Sequence, residues 1–133
     1  MVSRLALLLA LPLTAACAPM APSGDARAPI SGQPVEGALF VAGKFGNTLT
    51  KVELASGETV ARVASCANPH ELATSPDESH LALACYGGRT VDIFRTSDLG
   101  KVASVNLGEG ARPHGIVWHA NGDIYATAEG RRS

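Results

Sequence analysis

The sequence lacks the motifs that mark many catalytic and cofactor sites. It contains no Cys-x-x-Cys-His, no Gly-x-Ser-x-Gly, no His-Glu-x-x-His and no glycine-rich phosphate loop. Basic residues are also few, since 11 Lys and Arg stand against 12 Asp and Glu and leave a net charge of −1. We therefore expect no covalently attached haem in this part of the chain and no nucleic-acid partner.

Charge of either sign is scarce as well. Charged residues make up 17% and apolar residues 46% of the 133-residue chain, so we expect a packed core rather than wholesale disorder. The apolar run over residues 5–11 is too short to span a bilayer. It follows the positive charge of Arg4 and precedes the small residues Thr14-Ala15-Ala16 and then Cys17, which is the order of an export signal.

The segment 1–17 is interpreted as a signal peptide that resembles the lipoprotein type, with Cys17 as the lipidated residue. The alternative is ordinary cleavage after Ala18, which would leave Pro19 at the new N-terminus. Residues 18–36, rich in Pro, Ala, Ser and Gly, are predicted to be a flexible tether. The predicted location is the bacterial periplasm or outer membrane, with the membrane as a partner through the lipid anchor.

A stretch near the middle of the chain recurs further on. The segment that begins Pro69-His70 and ends Ser75-Pro76-Asp77 is matched by one that begins Pro113-His114, 44 positions later. Likewise Gly46-Asn47-Thr48-Leu49 is matched by Gly88-Arg89-Thr90-Val91 after 42 positions. A period in the low forties with several short strands per repeat predicts the blades of a β-propeller.

Short apolar runs separated by turn residues predict nine strands. They cover residues 38–42, 49–54, 59–63, 71–74, 81–85, 90–94, 101–105, 114–118 and 124–128. The fold class is therefore all-β, with residues 37–133 forming about two to two and a half four-stranded antiparallel blades. So few blades would leave apolar faces uncovered, so we expect the chain to be the N-terminal part of a longer propeller.

The repeat resembles a known family. Pro-His-x-x-x-x-Ser-Pro-Asp, an apolar strand, Gly-x-Thr-Val-x-Ile and a later Gly-x-Val-Ala are similar to the YVTN-type β-propeller repeat, which is related to seven-bladed lactonase-like and nitrite-reductase-like propellers. The likeness covers roughly residues 37–130, although the third repeat has Trp118-His119-Ala120-Asn121-Gly122 where the second has Ser-Pro-Asp. It implies that the first strand of each blade lines a central channel. One such fold hosts many activities.

His70 and His114 occupy equivalent positions in the repeat, and Glu71 adds a carboxylate beside the first of them. Histidines repeated around an axis could hold a metal or haem. They could equally shape the start of the strand and hydrogen-bond a neighbouring blade, and this structural role is favoured because the Pro-His pair recurs with the repeat. The three residues are candidates for a metal site, but no metal, cofactor or catalytic residue is assigned.

The positions of two cysteines predict a disulfide bond. Cys66 lies in the connection into the second blade, and Cys85 ends the second strand of that blade, so both come to the same face. Export would bring them into an oxidising compartment, where disulfides form. We expect a Cys66–Cys85 disulfide; two separate buried thiols are the alternative.

Three functions are compatible with these features. The leading hypothesis is an exported binding or scaffold module that presents one propeller face to an unknown small molecule or protein. The second is a lactonase-like or other hydrolytic enzyme with its site at the channel mouth. The third is a redox propeller that holds haem or a metal through the channel histidines. The sparse candidate residues favour the first.

Overall fold

The structure, a computed structural model, describes residues 35–131. Every regular element in this range is a β-strand, and within it no helix is long and apolar enough to cross a membrane. The predicted signal peptide 1–17, with Cys17, and residues 18–34 of the predicted tether lie outside the described residues. Their roles stay predictions.

Nine strands follow one another in chain order. They are β1 (Ala38–Gly43), β2 (Thr48–Glu53), β3 (Thr59–Ala64), β4 (Pro69–Thr74), β5 (His80–Cys85), β6 (Thr90–Arg95), β7 (Lys101–Asn106), β8 (Pro113–Trp118) and β9 (Ile124–Ala128). The strands form three antiparallel sheets, in the orders β1-β2-β3, β4-β5-β6-β7 and β8-β9, here called sheets 1, 2 and 3. The all-β prediction is confirmed, and each predicted strand is found with its ends shifted by no more than two residues.

Strand β5 explains how the three sheets share a core. Its sequence Leu81-Ala82-Leu83-Ala84-Cys85 is buried on both faces, as its continuous apolar run predicts. Because side chains alternate along a strand, its leucines face one side and its alanines the other. The leucines pack with Leu49 of sheet 1 and Phe94, whereas the alanines pack with Ile116 of sheet 3. Large side chains therefore fill one sheet interface and small ones allow close approach at the other.

The last strand of sheet 2 is exposed along its whole length, as the outer strand of a blade would be. Beneath it lies the buried carboxylate of Asp92 on β6. Asp92 accepts a hydrogen bond of 2.6 Å from the Ser104 hydroxyl and one of 3.4 Å from the Lys101 ammonium, both on β7. These bonds give a buried charge the partners it requires and tie the outer strand to the sheet.

The Ser75-Pro76-Asp77 turn between β4 and β5 is held by one carboxylate. Asp77 Oδ1 accepts bonds of 2.6 Å from the Ser75 hydroxyl and 2.8 Å from the Ser79 hydroxyl, and a third of 3.1 Å from the Ser79 backbone N–H. These bonds stabilise the ionised form, so hydrogen bonding from Ser75 and then Ser79 lowers the pKa of Asp77 to about 2.

A pH dependence follows from this turn. Since the pKa of Asp77 is lower in the folded than in the unfolded protein, its contribution is present above about pH 4 and is lost as the pH falls toward 2. Asp77→Asn should lower the stability at neutral pH and flatten the stability profile in this acid window. Denaturant unfolding of wild type and variant between pH 2 and 6 checks this. A difference between the two proteins that stays constant down to pH 2 would contradict it.

Candidate functional site

His70 and His114 each lie in a β-bulge at the start of a strand. In β4, Pro69 pairs with Cys85 and Leu72 with Leu83, so one extra residue lies on β4 between these pairs. Strand β8 repeats this arrangement between Pro113 and Ile116. A bulge bends its strand and re-aims the side chains within it, and bulges are frequent beside functional sites.

The two bulges bring the imidazole rings into contact. The ring centroids of His70 and His114 are 3.8 Å apart, with 38° between the ring planes. Tyr86, in the turn after β5, lies against both rings, with its centroid 5.4 Å from that of His70 and 5.6 Å from that of His114. Sheets 2 and 3 thus contribute one histidine each to a single aromatic cluster.

The Glu71 carboxylate completes this cluster. Its Oε1 atom lies 3.9 Å from Nδ1 of His70 and 3.6 Å from Nδ1 of His114. The equivalent position in the third repeat is Gly115, where a Cβ atom would lie 3.8 Å from Glu71 Oε2 and 3.4 Å from Thr127 Oγ1. A Cβ atom there would make ordinary van der Waals contacts, so the glycine only removes a neighbour of the carboxylate. The structure brings together the three residues that the sequence singled out.

The electrostatics favour neutral imidazole at His70. Burial, followed by the nearby His114 and Lys44, lowers the pKa of His70 below its usual value, against a smaller opposing effect of Glu71. The side chain is 21% exposed, and its Nδ1 atom is buried without a hydrogen-bond partner among the described residues. The bond to a neighbouring blade that a purely structural role requires is therefore not made by this atom.

Two cations border the cluster, and sequence reasoning missed both. The Lys44 ammonium lies 5.4 Å and the Arg112 guanidinium carbon 4.4 Å from the centroid of the Tyr86 ring, within the range of cation–π attraction. Arg112 has a left-handed backbone, with φ of 48°, and Asn68 before the other Pro-His pair has φ of 51°. This conformation is uncommon outside glycine, and here it turns the chain into both bulged strands.

A sequence signal for these residues did exist. Tyr86 follows β5, Arg112 precedes β8 and Lys44 follows β1. Because antiparallel strands alternate in direction, all three residues come to the ends of the sheets at which β4 and β8 begin, and there they meet His70 and His114. A comparison of the turn sequences at these strand ends would have added the three residues to the candidate site residues. His80 and His119, in contrast, lie at the opposite ends of their strands.

The two cysteines lie beside this cluster. In the structure Cys66 and Cys85 are joined by a disulfide, with their Cα atoms 5.7 Å apart. Cys85 pairs across the sheet with Pro69, the residue before His70. The bond therefore ties the segment that leads into the bulge to the end of the neighbouring strand.

Cavities do not by themselves point to the cluster. One cavity of about 540 Å³ is lined by residues of sheet 1 and by the turns after β4 and β6, and no histidine borders it. A smaller groove of about 320 Å³ runs along β8 and β9 and includes Glu71 and Gly115. We regard the smaller groove as the more informative because it adjoins the titratable residues.

The three sheets, stacked face against face with β4 and β8 side by side, form part of a β-propeller. No family model and no curated protein matches the sequence. Several solved structures are similar, among them the following two. Hydrazine synthase of Kuenenia stuttgartiensis has a TM-score of 0.62 and 19% identity over 73% of this chain and 32% of that chain. Dihydro-heme d1 dehydrogenase NirN in complex with DHE has a TM-score of 0.59 and 20% identity over 74% of this chain and 21% of that chain.

Both neighbours are propeller-like proteins, and at these identities the likeness shows the fold alone. It confirms the partial propeller that the repeat predicts. The chain spans about a third of the first neighbour and a fifth of the second. The finer assignment to the YVTN-type repeat stays a prediction.

Proposed function

We propose that this chain belongs to an exported β-propeller protein that binds a ligand at the edge where β4 and β8 begin. The observation that carries the proposal is the contact of His70 with His114 in two equivalent bulges, with Glu71 beside them. Two strands from different sheets thus aim titratable side chains at one point. Binding sites commonly combine aromatic surface with a few convergent polar groups.

The chemistry of the cluster indicates what such a ligand needs. Tyr86 offers an aromatic face, and Lys44 and Arg112 add two positive charges near it. A small molecule or peptide segment with an anionic group and an apolar or aromatic part would meet both kinds of surface. The groove along β8 and β9 that includes Glu71 and Gly115 extends this surface.

Native mass spectrometry of the full-length protein from its host tests the proposal. We expect the wild-type protein to carry an added mass, since its binding face meets its ligand in the cell. The variant Tyr86→Ala should lose that mass, because the cluster loses its aromatic surface. The control is Val60→Ala, which shortens an exposed side chain of β3, outside the cluster and the groove, and should retain it. Equal retention by both variants, or a wild-type protein with no added mass, would contradict a ligand site at this edge.

Haem is the second candidate ligand, favoured by one specific observation. His70 presents a buried Nδ1 atom without a partner among the described residues, and a single histidine can hold haem iron from one side. Clamping of haem between His70 and His114 does not fit, because the two rings are packed against each other. The neighbour named as a dihydro-heme d1 dehydrogenase adds support for a haem-like ligand. Haemin added to the full-length protein should then give a Soret shift that His70→Ala abolishes and His119→Ala keeps.

The proposed location is the cell envelope, with the protein held on a membrane through a lipid on Cys17. The run of small residues before Cys17 and the Pro-rich segment after it support this. Cells given labelled palmitate should incorporate label into the wild-type protein, and Cys17→Ser should abolish incorporation and release the protein from the membrane fraction. A wild-type protein that takes up no label would show that ordinary cleavage operates instead.

A further inference from the structure

One buried nitrogen atom of the cluster has no hydrogen-bond partner among the described residues. Buried polar atoms nearly always have a partner, and a buried one without any requires an explanation. His70 Nδ1 is such an atom among the described residues. A ring nitrogen of His114 and the Glu71 carboxylate lie near it, and one ligand atom from each of the three residues lies within 4.8 Å of the other two.

The distances from the Glu71 carboxylate to the two imidazole nitrogens are close to the spacing of ligand atoms around a bound metal ion. Glu71 Oε1 is 3.9 Å from Nδ1 of His70 and 3.6 Å from Nδ1 of His114. Around a tetrahedral ion with nitrogen and oxygen ligands at about 2.0–2.2 Å, neighbouring ligand atoms are about 3.4 Å apart. The two carboxylate–imidazole distances exceed this value by about 0.2–0.5 Å. Glu71 is 46% exposed, so little packing opposes a movement of its carboxylate that shortens them.

We propose that His70, Glu71 and His114 bind one divalent first-row transition-metal ion. Two imidazoles and one carboxylate are ligands that suit Zn²⁺, whereas Ca²⁺ and Mg²⁺ prefer oxygen atoms alone. Three protein ligands leave one tetrahedral position open for a further donor. The inference rests on the proposed ligand-binding edge and deepens it, since that open position is where a donor atom of the ligand would bind.

The residues around the three ligands bear on which ion would bind. No side chain at position 115 crowds the carboxylate, because Gly115 occupies the position equivalent to Glu71. Lys44 and Arg112 oppose a bare dication, and they therefore favour a metal ion that also carries an anionic donor in its open position.

The test is calorimetric titration of Zn²⁺ into the chelator-treated full-length protein. We expect one Zn²⁺ to bind to the wild type, and its dissociation constant to rise at least about tenfold in His70→Ala, His114→Ala and Glu71→Gln, since even supporting residues around metal ligands cost that much. His119→Ala, at an exposed histidine outside the cluster, should leave it unchanged. Glu71→Gln keeps the shape of an exposed side chain, so it tests the site even if a histidine variant fails to fold.

Three results would contradict the proposed metal site. They are no Zn²⁺ binding to the wild type, Zn²⁺ binding that survives all three substitutions, and unchanged Zn²⁺ binding in Glu71→Gln alone. The added mass of the native protein, measured before and after chelation, separates this inference from the proposed function. A ligand retained by the chelated protein, together with no Zn²⁺ binding, would reject the metal site and leave the ligand-binding edge standing. Zn²⁺ binding with no ligand in any preparation would reject the proposed function instead.

Discussion

Replacing Phe94 with alanine is expected to lower the free energy of unfolding by about 3–5 kcal/mol. Phe94 is 2% exposed and belongs to the cluster in which Leu49 of sheet 1 meets Leu81 and Leu83 of sheet 2. The substitution removes a large apolar side chain from water-free surroundings and leaves a cavity that strands on both sides can only partly fill. The loss therefore combines a transfer contribution with a cavity contribution.

Denaturant unfolding of the full-length protein, followed by circular dichroism, measures this effect. Val102→Ala is the matched control, because Val102 lies on the outer strand β7 and is 44% exposed. Its cost should stay within about 0.5 kcal/mol, as is usual at the surface. Similar losses for the two variants would mean that sheets 1 and 2 do not share the packed interface described above.

Removing the Cys66–Cys85 disulfide is expected to cost about 2–4 kcal/mol. The two residues are 19 positions apart, and a bond between them restricts the unfolded chain over the whole of strand β4 and the turn that follows. The double variant Cys66→Ala, Cys85→Ala is preferred to serine, because Cys85 is only 1% exposed and a hydroxyl there would be buried without a certain partner.

Two measurements check this bond. Peptide mapping of the protein purified from its host without reductant should recover residues 66 and 85 linked, and unfolding curves of reduced wild type and double variant should agree within about 1 kcal/mol. Free thiols at both positions in that protein would refute the pairing. Because Cys85 pairs with Pro69, the double variant should also weaken Zn²⁺ binding by loosening the bulge that carries His70.

Local sequence patterns predict the fold of this protein. Strand β5 is apolar at every position after its first residue, and a strand so composed must be covered on both faces, which the two flanking sheets do. The recurrence of Pro69-His70 at Pro113-His114 set the repeat length, and the repeat implied the blade. These signals are local or periodic, so the sequence alone determined the strands, their order and the equivalence of the two histidines.

The tertiary structure decided how the histidines are used. Whether a strand contains a bulge depends on its hydrogen-bond register with a partner, and the pairing of Pro69 with Cys85 and of Leu72 with Leu83 cannot be read from the alternation of one strand. The bulges turn two equivalent positions into a ring contact of 3.8 Å, bordered by Tyr86, Arg112 and Lys44 from other turns. Equivalence in a repeat is a property of the chain, whereas contact between repeats is a property of how the sheets pack.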